Sequence, residues 1–188
     1  MKRVAILFSG AGSNLAYILE HLHQKQLEVV VALTNNPRAE GIVHAECHNV
    51  PVEIIDAKGF ETREAFDAVV VEKLKAYRPD LTVLAGFMRI LTPTFTESIR
   101  SINLHPSLLP RHKGLQAIER SYADEHETGG VSVHWVTSEL DGGEVILQKE
   151  VTKAGKSFNE YNDEVRRIEK IALCEGILKV ISALTSSP

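Results

Sequence analysis

Asn103, His105 and Asp141 are the residues of this chain whose types and spacing best suit acid–base chemistry. Asn103 and His105 belong to the run Asn-Leu-His-Pro-Ser-Leu-Leu-Pro, and Asp141 belongs to a later Leu-Asp-Gly-Gly. An amide can stabilise an oxyanion, a histidine can move protons near neutral pH, and a carboxylate can orient and bias that histidine. The alternatives are a buried structural role for His105 and an Asx-type turn for Asp141.

The run that follows His105 contains two prolines, Pro106 and Pro110. Because proline lacks an N–H and restricts the residue before it, the run predicts a rigid loop at the end of a strand. The period of two along a strand puts Asn103 and His105 on the same side. Ligands of α/β proteins bind at such carboxyl ends, so the loop is a candidate ligand site.

Strands and helices alternate along the chain, and these elements must position Asn103, His105 and Asp141. Apolar runs predict buried strands at residues 4–8, 27–34, 52–55, 81–85 and 102–104. Helices are predicted after Gly12, over 41–48, from a Thr62 cap to Tyr77, from Pro93, and from about 157 to 184. Residues 131–136 predict a half-exposed strand, with an antiparallel partner at 144–151. The prediction is one α/β domain over residues 1–188, with a doubly wound, mostly parallel sheet flanked by helices and an antiparallel addition near the C-terminus.

A second candidate site is the turn Gly10-Ala11-Gly12-Ser13-Asn14 between the first strand and the first helix. Glycines allow a tight turn, and the free amides of a helix N-terminus attract an anion such as a phosphate. Ser13 or Asn14 could instead cap the helix. A dinucleotide is disfavoured, because Leu15 replaces the third glycine and no acidic residue follows the second strand.

Composition excludes several classes of protein. The 188 residues are 44% hydrophobic, with a net charge of −4 and a pI near 6.1, so we expect one buried core and no nucleic-acid partner. The apolar run at the N-terminus is too short for a signal peptide or a membrane span, which predicts a cytoplasmic protein without a membrane partner. Cys47 and Cys174 show no disulfide framework.

One group of possible metal ligands stands out, at His44, Cys47 and His48. Their helical spacing could put them on one face, but no second cluster accompanies them, and a zinc site takes three or four oriented ligands. The favoured interpretation is a helix with a half-buried cysteine and two solvated histidines, and no metal. His134 could line a pocket or a solvated face, and the histidines at 21, 23, 112 and 126 are predicted to lie at the surface.

Four motifs in order resemble those of the phosphoribosylglycinamide formyltransferases, a folate-dependent formyltransferase family of purine synthesis. They are Ser-Gly-x-Gly-Ser-Asn-Leu from Ser9, Leu-Ala-Gly-Phe-Met-Arg-Ile-Leu from Leu84, Asn-x-His-Pro-Ser-Leu-Leu-Pro from Asn103, and Leu-Asp-Gly-Gly from Leu140. The resemblance covers essentially the whole chain. It implies a Rossmann-like formyltransferase fold and transfer of a formyl group from the cosubstrate 10-formyltetrahydrofolate to the amine of glycinamide ribonucleotide. No metal is implied, and the oligomeric state is left as monomer or homodimer.

The resemblance also assigns roles to individual residues. Asn103, His105 and Asp141 match the catalytic trio. The residues expected to bind the ribonucleotide, including its phosphate, are Gly12, Ser13, Asn14, Arg166 and Glu169. Those expected to contact folate are Arg63, Met88, Arg89, Ile90, Leu91 and Asn103, with the pterin received between the fourth and fifth strands.

Some features depart from the family pattern, and other functions remain open. Lys113 stands where the family commonly has proline, the 94–101 stretch is short, and the chain stops soon after the last helix. These departures bear on the loop after Pro110 and on oligomeric contacts. The alternatives are another formyltetrahydrofolate-dependent enzyme, such as methionyl-tRNA formyltransferase or a formyltetrahydrofolate hydrolase, and a non-catalytic folate- or nucleotide-binding module. The first two are expected to carry a further domain.

Overall fold

The computed structural model describes residues 1–185, in which seven strands form one sheet. The strands are β1 (Lys2–Phe8), β2 (Leu27–Thr34), β3 (Val52–Ile54), β4 (Leu81–Leu84), β5 (Ser101–His105), β6 (Thr128–Trp135) and β7 (Val145–Thr152). Their order in the sheet is β3-β2-β1-β4-β5-β6-β7. β1 pairs in parallel with β2 and β4, β2 pairs in parallel with β3, and β6 pairs antiparallel with β7. The predicted mostly parallel sheet with an antiparallel addition is confirmed.

A helix follows each of these strands except β6. The helices are α1 (Ser13–His21), α2 (Ile42–Cys47), α3 (Arg63–Tyr77), α4 (Pro93–Thr96), α5 (Ala117–Ala123) and α6 (Phe158–Thr185), with a short 3₁₀ turn at Ala57–Gly59. α3 begins as predicted, because Thr62 Oγ1 accepts a hydrogen bond of 3.1 Å from the amide of Ala65. α5 is absent from the sequence-based prediction. Among the described residues, no helix is long and apolar enough to span a membrane.

The chain divides into two compact units, Met1–Ile102 and a second that begins at Asn103. In the first unit β1 is inaccessible from Val4 to Phe8, as expected for a strand covered on both faces. The apolar stripe of α1 is buried as well, through Leu15, Ile18 and Leu19.

In the second unit the prediction that residues 131–136 form a half-exposed strand is wrong, because β6 is covered on both faces. Val133 packs so closely against α6 that a Cβ added to Gly176 would lie 2.8 Å from its Cγ1. On the other face Ser132 is inaccessible, since its hydroxyl donates to the carbonyl of Ser107 (2.7 Å) and accepts the amide of Leu109 (3.0 Å). The alternation of apolar and polar residues along β6 therefore marks two buried faces rather than one.

Candidate active site

β5 ends at His105, and side-chain hydrogen bonds fix the conformation of the loop that follows it. His105 is 6% exposed, and Pro106 cannot donate a backbone hydrogen bond to a neighbouring strand. Ser107 is fully buried, and its hydroxyl donates to the carbonyls of Arg111 and, at 3.4 Å, His112. These hydrogen bonds join the start of the loop, at Ser107, to Arg111 and His112.

Both ring nitrogens of His105 face oxygen atoms that can accept hydrogen bonds but cannot donate them. Nε2 lies 2.8 Å from the carbonyl oxygen of His112, and Nδ1 lies 3.4 Å from Oδ2 of Asp141. The shorter contact places the proton of the neutral ring on Nε2. Nδ1 then carries a lone pair, and a second proton taken up there would point at the carboxylate.

The carboxylate of Asp141 makes its contacts outside its own turn. The residue is 8% exposed, with φ of 52°. Its Oδ2 accepts the amide of Gly114 at 2.9 Å, and its Oδ1 lies 3.5 Å from Nε2 of His134. Asp141 therefore stands between two imidazoles, His105 on one oxygen and His134 on the other.

The two glycines of Leu-Asp-Gly-Gly allow this placement. The amide of Gly142 donates to the carbonyl of Glu139 at 3.1 Å, which closes the turn. At Gly143 an added Cβ would lie 1.7 Å from the carbonyl oxygen of Trp135. Only glycine lets the loop pass this close to the end of β6, so Gly143 fixes where Asp141 lies.

His134 orients the amide of Asn103. Nδ1 of His134 lies 2.9 Å from the carbonyl of Trp135, so Nδ1 carries the proton of the neutral ring. Nε2 is then free to accept from Nδ2 of Asn103, which is 3.3 Å away. One amide hydrogen of Asn103 is held in this way, and its second is left for another acceptor.

The charge states of His105 and Asp141 follow from burial and from these contacts. Burial lowers the pKa of His105 below its ordinary value, and this outweighs the raising effect of the His112 carbonyl and of Asp141. Burial alone would raise the pKa of Asp141, but the contact with His134, the hydrogen bond from the Gly114 amide and the field of His105 lower it overall. At neutral pH the pair is therefore a neutral imidazole beside a carboxylate.

The glycine turn of the first unit has the geometry of a strand-to-helix anion loop. Gly12 is the N-cap of α1 with φ of 70°, and no side chain caps this helix. Ser13 and Asn14 are its first two residues, which rules out the capping alternative. Ser13 is exposed, while Oδ1 of Asn14 is buried without a hydrogen-bond partner in residues 1–185. A Cβ on Gly12 would lie 2.8 Å from Cα of Gly41, so the backbone packs tightly behind the turn.

The loop after β4 exposes apolar side chains, as a surface for a flat apolar ligand would. Met88 and Ile90 are 72% and 54% exposed, and Leu91 is half-buried. The start of the loop is held by Ser9, whose hydroxyl accepts the amide of Met88 at 2.8 Å and donates to Oδ1 of Asn35 at 2.6 Å. The Met88 amide is thus already occupied within the chain.

The end of this loop is held by a buried carboxylate. Asp67, on α3, is 1% exposed, and its Oδ2 accepts both the amide and the hydroxyl of Thr92 at 2.7 Å. The guanidinium of Arg89 lies over the ring of Phe66, 4.4 Å from its centroid. Arg63 is exposed at the first residue of α3.

Two further predicted residues lie one turn apart on α6. Nη1 of Arg166 is 3.0 Å from Oε1 of Glu169, whose side chain is 5% exposed while that of Arg166 is 56% exposed. The buried carboxylate of Glu169 thus orients the exposed guanidinium of Arg166. The end of the chain, residues 186–188, lies outside the described residues.

The candidate metal ligands on and after α2 do not converge. Nδ1 of His48 bonds to the backbone carbonyl of His44 at 2.9 Å, and Cys47 is exposed rather than half-buried, because it is the last residue of the helix. Within residues 1–185, no group of three or more His, Cys, Asp or Glu side chains is arranged to hold a metal ion.

Several residues that hold these sites together have no definite role in the sequence-based prediction. They are Ser9, Asp67, His112, Ser132 and His134. Ser132 and His134 alternate with valines on β6, and Asn103 and His105 alternate with isoleucine and leucine on β5. This shared period of two was the available signal. His112, predicted to be a surface residue, is half-buried and supplies the carbonyl for His105. No local sequence pattern predicts that the backbone carbonyl of His112 is a hydrogen-bond partner of His105.

Comparisons with known proteins agree with the fold and motifs. A family model described as formyl transferase matches residues 2–177. The phosphoribosylglycinamide formyltransferase of Escherichia coli (strain K12) is 38% identical over 171 residues, covering 88% of this chain and 81% of that protein. The crystal structure of phosphoribosylglycinamide formyltransferase from Campylobacter jejuni superposes with a TM-score of 0.94 at 46% identity, covering 96% of this chain and 97% of the other. The chain therefore belongs to the formyl transferase family, among its phosphoribosylglycinamide formyltransferases.

Proposed function

We propose that this enzyme transfers the formyl group of 10-formyltetrahydrofolate to the amine of glycinamide ribonucleotide, giving formylglycinamide ribonucleotide in purine biosynthesis. The names of its relatives support this reaction. The mechanism rests on the buried contact of His105 with Asp141, in which Nδ1 and Oδ2 are 3.4 Å apart. Such a pair can accept a proton at the moment when an amine attacks a carbonyl.

In the first step the amine nitrogen of the ribonucleotide attacks the formyl carbon, and the formyl oxygen becomes an oxyanion. The free hydrogen of the Asn103 amide donates to that oxygen. The nitrogen loses a proton, which Nδ1 of His105 takes up, directly or through a water. Asp141 then faces an imidazolium, so the positive charge develops where a carboxylate already stands.

In the second step the tetrahedral intermediate collapses. The bond from the formyl carbon to N10 of the folate breaks, and the electron pair goes to N10. The imidazolium of His105 returns its proton to that nitrogen, which regenerates the neutral ring. No covalent bond to the enzyme forms, because holding the two substrates together supplies much of the rate.

The glycine turn after β1 supplies several of the proposed ribonucleotide contacts. The amides of the turn at Gly12, Ser13 and Asn14 bind the phosphate of the ribonucleotide, and the unpartnered Oδ1 of Asn14 is an acceptor for a substrate hydroxyl or amine. Arg166 and Glu169 of the second unit are proposed as further ribonucleotide contacts, with the exposed guanidinium near the phosphate.

The loop at residues 87–91 is proposed to receive the pterin. The pterin packs on the exposed apolar side chains of Met88 and Ile90 and pairs with backbone groups other than the Met88 amide. Arg89, Leu91, Arg63 and Asn103 are the other proposed folate contacts. The folate is a cosubstrate, and no step of the proposed reaction is assigned to a metal.

We also propose that residues 1–188 act as one formyltransferase domain, which the family match over 2–177 supports. The proposed partners are small molecules, with the protein as a monomer or homodimer and without nucleic acid or membrane. A cytoplasmic location stays a prediction from the sequence.

The test is an acceptor comparison. Purified enzyme with 10-formyltetrahydrofolate is offered glycinamide ribonucleotide, methionyl-tRNA, or buffer alone, and release of the deformylated folate is followed together with the formylated product. We expect folate product only with the ribonucleotide, in a one-to-one ratio with formylglycinamide ribonucleotide. Equal release in buffer would indicate a hydrolase, and binding of folate without release would indicate a binding module.

A further inference from the structure

The carbonyl oxygen that accepts the proton of His105 Nε2 belongs to His112, a loop residue with a left-handed backbone. The distance from Nε2 to that oxygen is 2.8 Å, and φ of His112 is 54°. This conformation is unfavourable for any residue with a Cβ, so surrounding contacts must hold it. Without them the peptide could rotate and carry the carbonyl away from His105.

The ring of His112 makes such a contact. Its Nε2 lies 2.6 Å from Oδ2 of Asp124, and the two side chains are 22% and 15% exposed. Asp124 is held in turn by Lys153, whose Nζ lies 2.6 Å from Oδ1 and also donates to the backbone carbonyls of Ser121 and Asp124. The amide of His126 adds a hydrogen bond of 2.9 Å to Oδ1.

Asp124 stays charged throughout the range in which a histidine titrates. Burial alone would raise the pKa of this carboxyl, but the hydrogen bonds from Lys153, His112 and the His126 amide lower it far below its ordinary value. The contact to His112 is therefore made by a permanent carboxylate that a lysine fixes in place.

We propose that Asp124 is a positioning residue for His105, acting through the ring and the carbonyl of His112. The inference rests on the proposed catalytic role of His105. By fixing the His112 carbonyl, Asp124 keeps the proton of neutral His105 on Nε2. Nδ1 is thereby left unprotonated beside Asp141, ready for the proton of the attacking amine.

Other charged groups also act on His105, and the experiment must separate them from this effect. Asp141 favours its charged form, while His134 and Arg120 disfavour it. A change in the pKa of His105 alone would not identify the source. The tautomer of the neutral ring is more specific, because it depends on which nitrogen has an acceptor.

Two variants break the contact from opposite sides. His112→Phe keeps a ring but removes its N–H, and it leaves the pair of Asp124 and Lys153 intact. Asp124→Ala removes the carboxylate. Glu125→Ala is the matched control, since this neighbouring carboxylate is exposed. The nitrogen chemical shifts of His105 report its tautomer without reference to activity, and kcat and KM for both substrates report catalysis.

We expect both variants to lose the Nε2–H tautomer of His105 and to lower kcat between about tenfold and a hundredfold, with each KM within about twofold. The double variant should be no slower than the slower single variant, because both remove one interaction. Glu125→Ala should match the wild type in every readout.

Retention of the Nε2–H tautomer in His112→Phe would overturn the proposal, as would additive losses in the double variant. A changed tautomer with unchanged kcat would uphold the positioning of His105 by Asp124. That same result would contradict the catalytic role proposed for His105, so the two failures are distinguishable.

Discussion

Replacing Asp141 with asparagine should lower the pKa of His105 and slow turnover, while leaving both substrates bound. Nδ1 of His105 and Oδ2 of Asp141 are 3.4 Å apart, and both side chains are less than a tenth exposed. Two unit charges at this distance interact by about 5 kcal/mol at an effective dielectric constant of about 20. This value is a ceiling, because the imidazolium charge is spread over the ring. A carboxylate this close favours the charged form of the ring, so the pKa of His105 should fall when the charge of Asp141 is removed.

The direction of the pH effect follows from the state of the ring. Burial already holds the pKa of His105 below its ordinary value, so the neutral, proton-accepting form prevails at neutral pH. Asp141→Asn lowers that pKa further, so the acidic limb of the kcat profile moves to lower pH. The imidazolium formed during attack loses its carboxylate, and kcat at neutral pH should fall by about 10²–10⁴.

Histidine-resolved NMR titration measures the pKa, and steady-state kinetics across pH measures turnover. Asparagine keeps the size of the side chain and can still accept the amide of Gly114, so the loop should persist. Glu139→Gln, which removes an exposed carboxylate from the same loop, is the control. If His105 titrates unchanged in Asp141→Asn and turnover stays near the wild-type value, Asp141 does not act on His105.

Three further predictions concern the glycine turn, the proposed folate loop and the Asp141 loop. Ser13→Asp places a carboxylate at the first residue of α1, where it stabilises the helix dipole by about 0.3–1 kcal/mol but repels a phosphate. KM for the ribonucleotide should therefore rise at least about tenfold, whereas the neutral control Ser13→Asn should change it less. An unchanged KM in Ser13→Asp would contradict the proposed phosphate site. Asp67→Ala removes the acceptor of two 2.7 Å hydrogen bonds from Thr92, so urea unfolding should show a loss of about 1–3 kcal/mol, and KM for folate should rise more than KM for the ribonucleotide. Gly143→Ala puts a Cβ against the Trp135 carbonyl, so unfolding should show a loss of about 1–3 kcal/mol, whereas Gly59→Ala, which faces open space, should cost little.

Most of the sheet could be predicted from the sequence because its strands are continuous apolar runs ended by turn residues. The 27–34 strand has the bounds of β2, and the Thr62 cap starts α3 where predicted. α5 was missed because it has no sequence start signal. Its N-cap is Gln116 in a left-handed conformation, and no side chain caps it. The helix exists through the burial of Ala117 and Ile118, which local sequence does not encode.

The contact of Asp141 with His105 was expected only through the family resemblance, and the structure provides it at 3.4 Å. The charge state could not be predicted, because the pKa of His105 depends on how fully the ring is buried and not on its sequence neighbours. The same limit applies to His112. Its carbonyl and its ring contact residues seven positions before it and twelve after it, through a loop whose shape no pattern fixes.

Formyl transfer that depends on His105 can be observed directly in a single-turnover reaction with a carbon-labelled formyl group on 10-formyltetrahydrofolate, followed by NMR. Wild-type enzyme is compared with His105→Asn, and the affinity of each for glycinamide ribonucleotide is measured in parallel. We predict that the label appears on the amine nitrogen of the ribonucleotide, and that His105→Asn binds the ribonucleotide normally but transfers the label at least about a hundredfold more slowly. Label released as formate, or transfer by His105→Asn at the wild-type rate, would contradict the account.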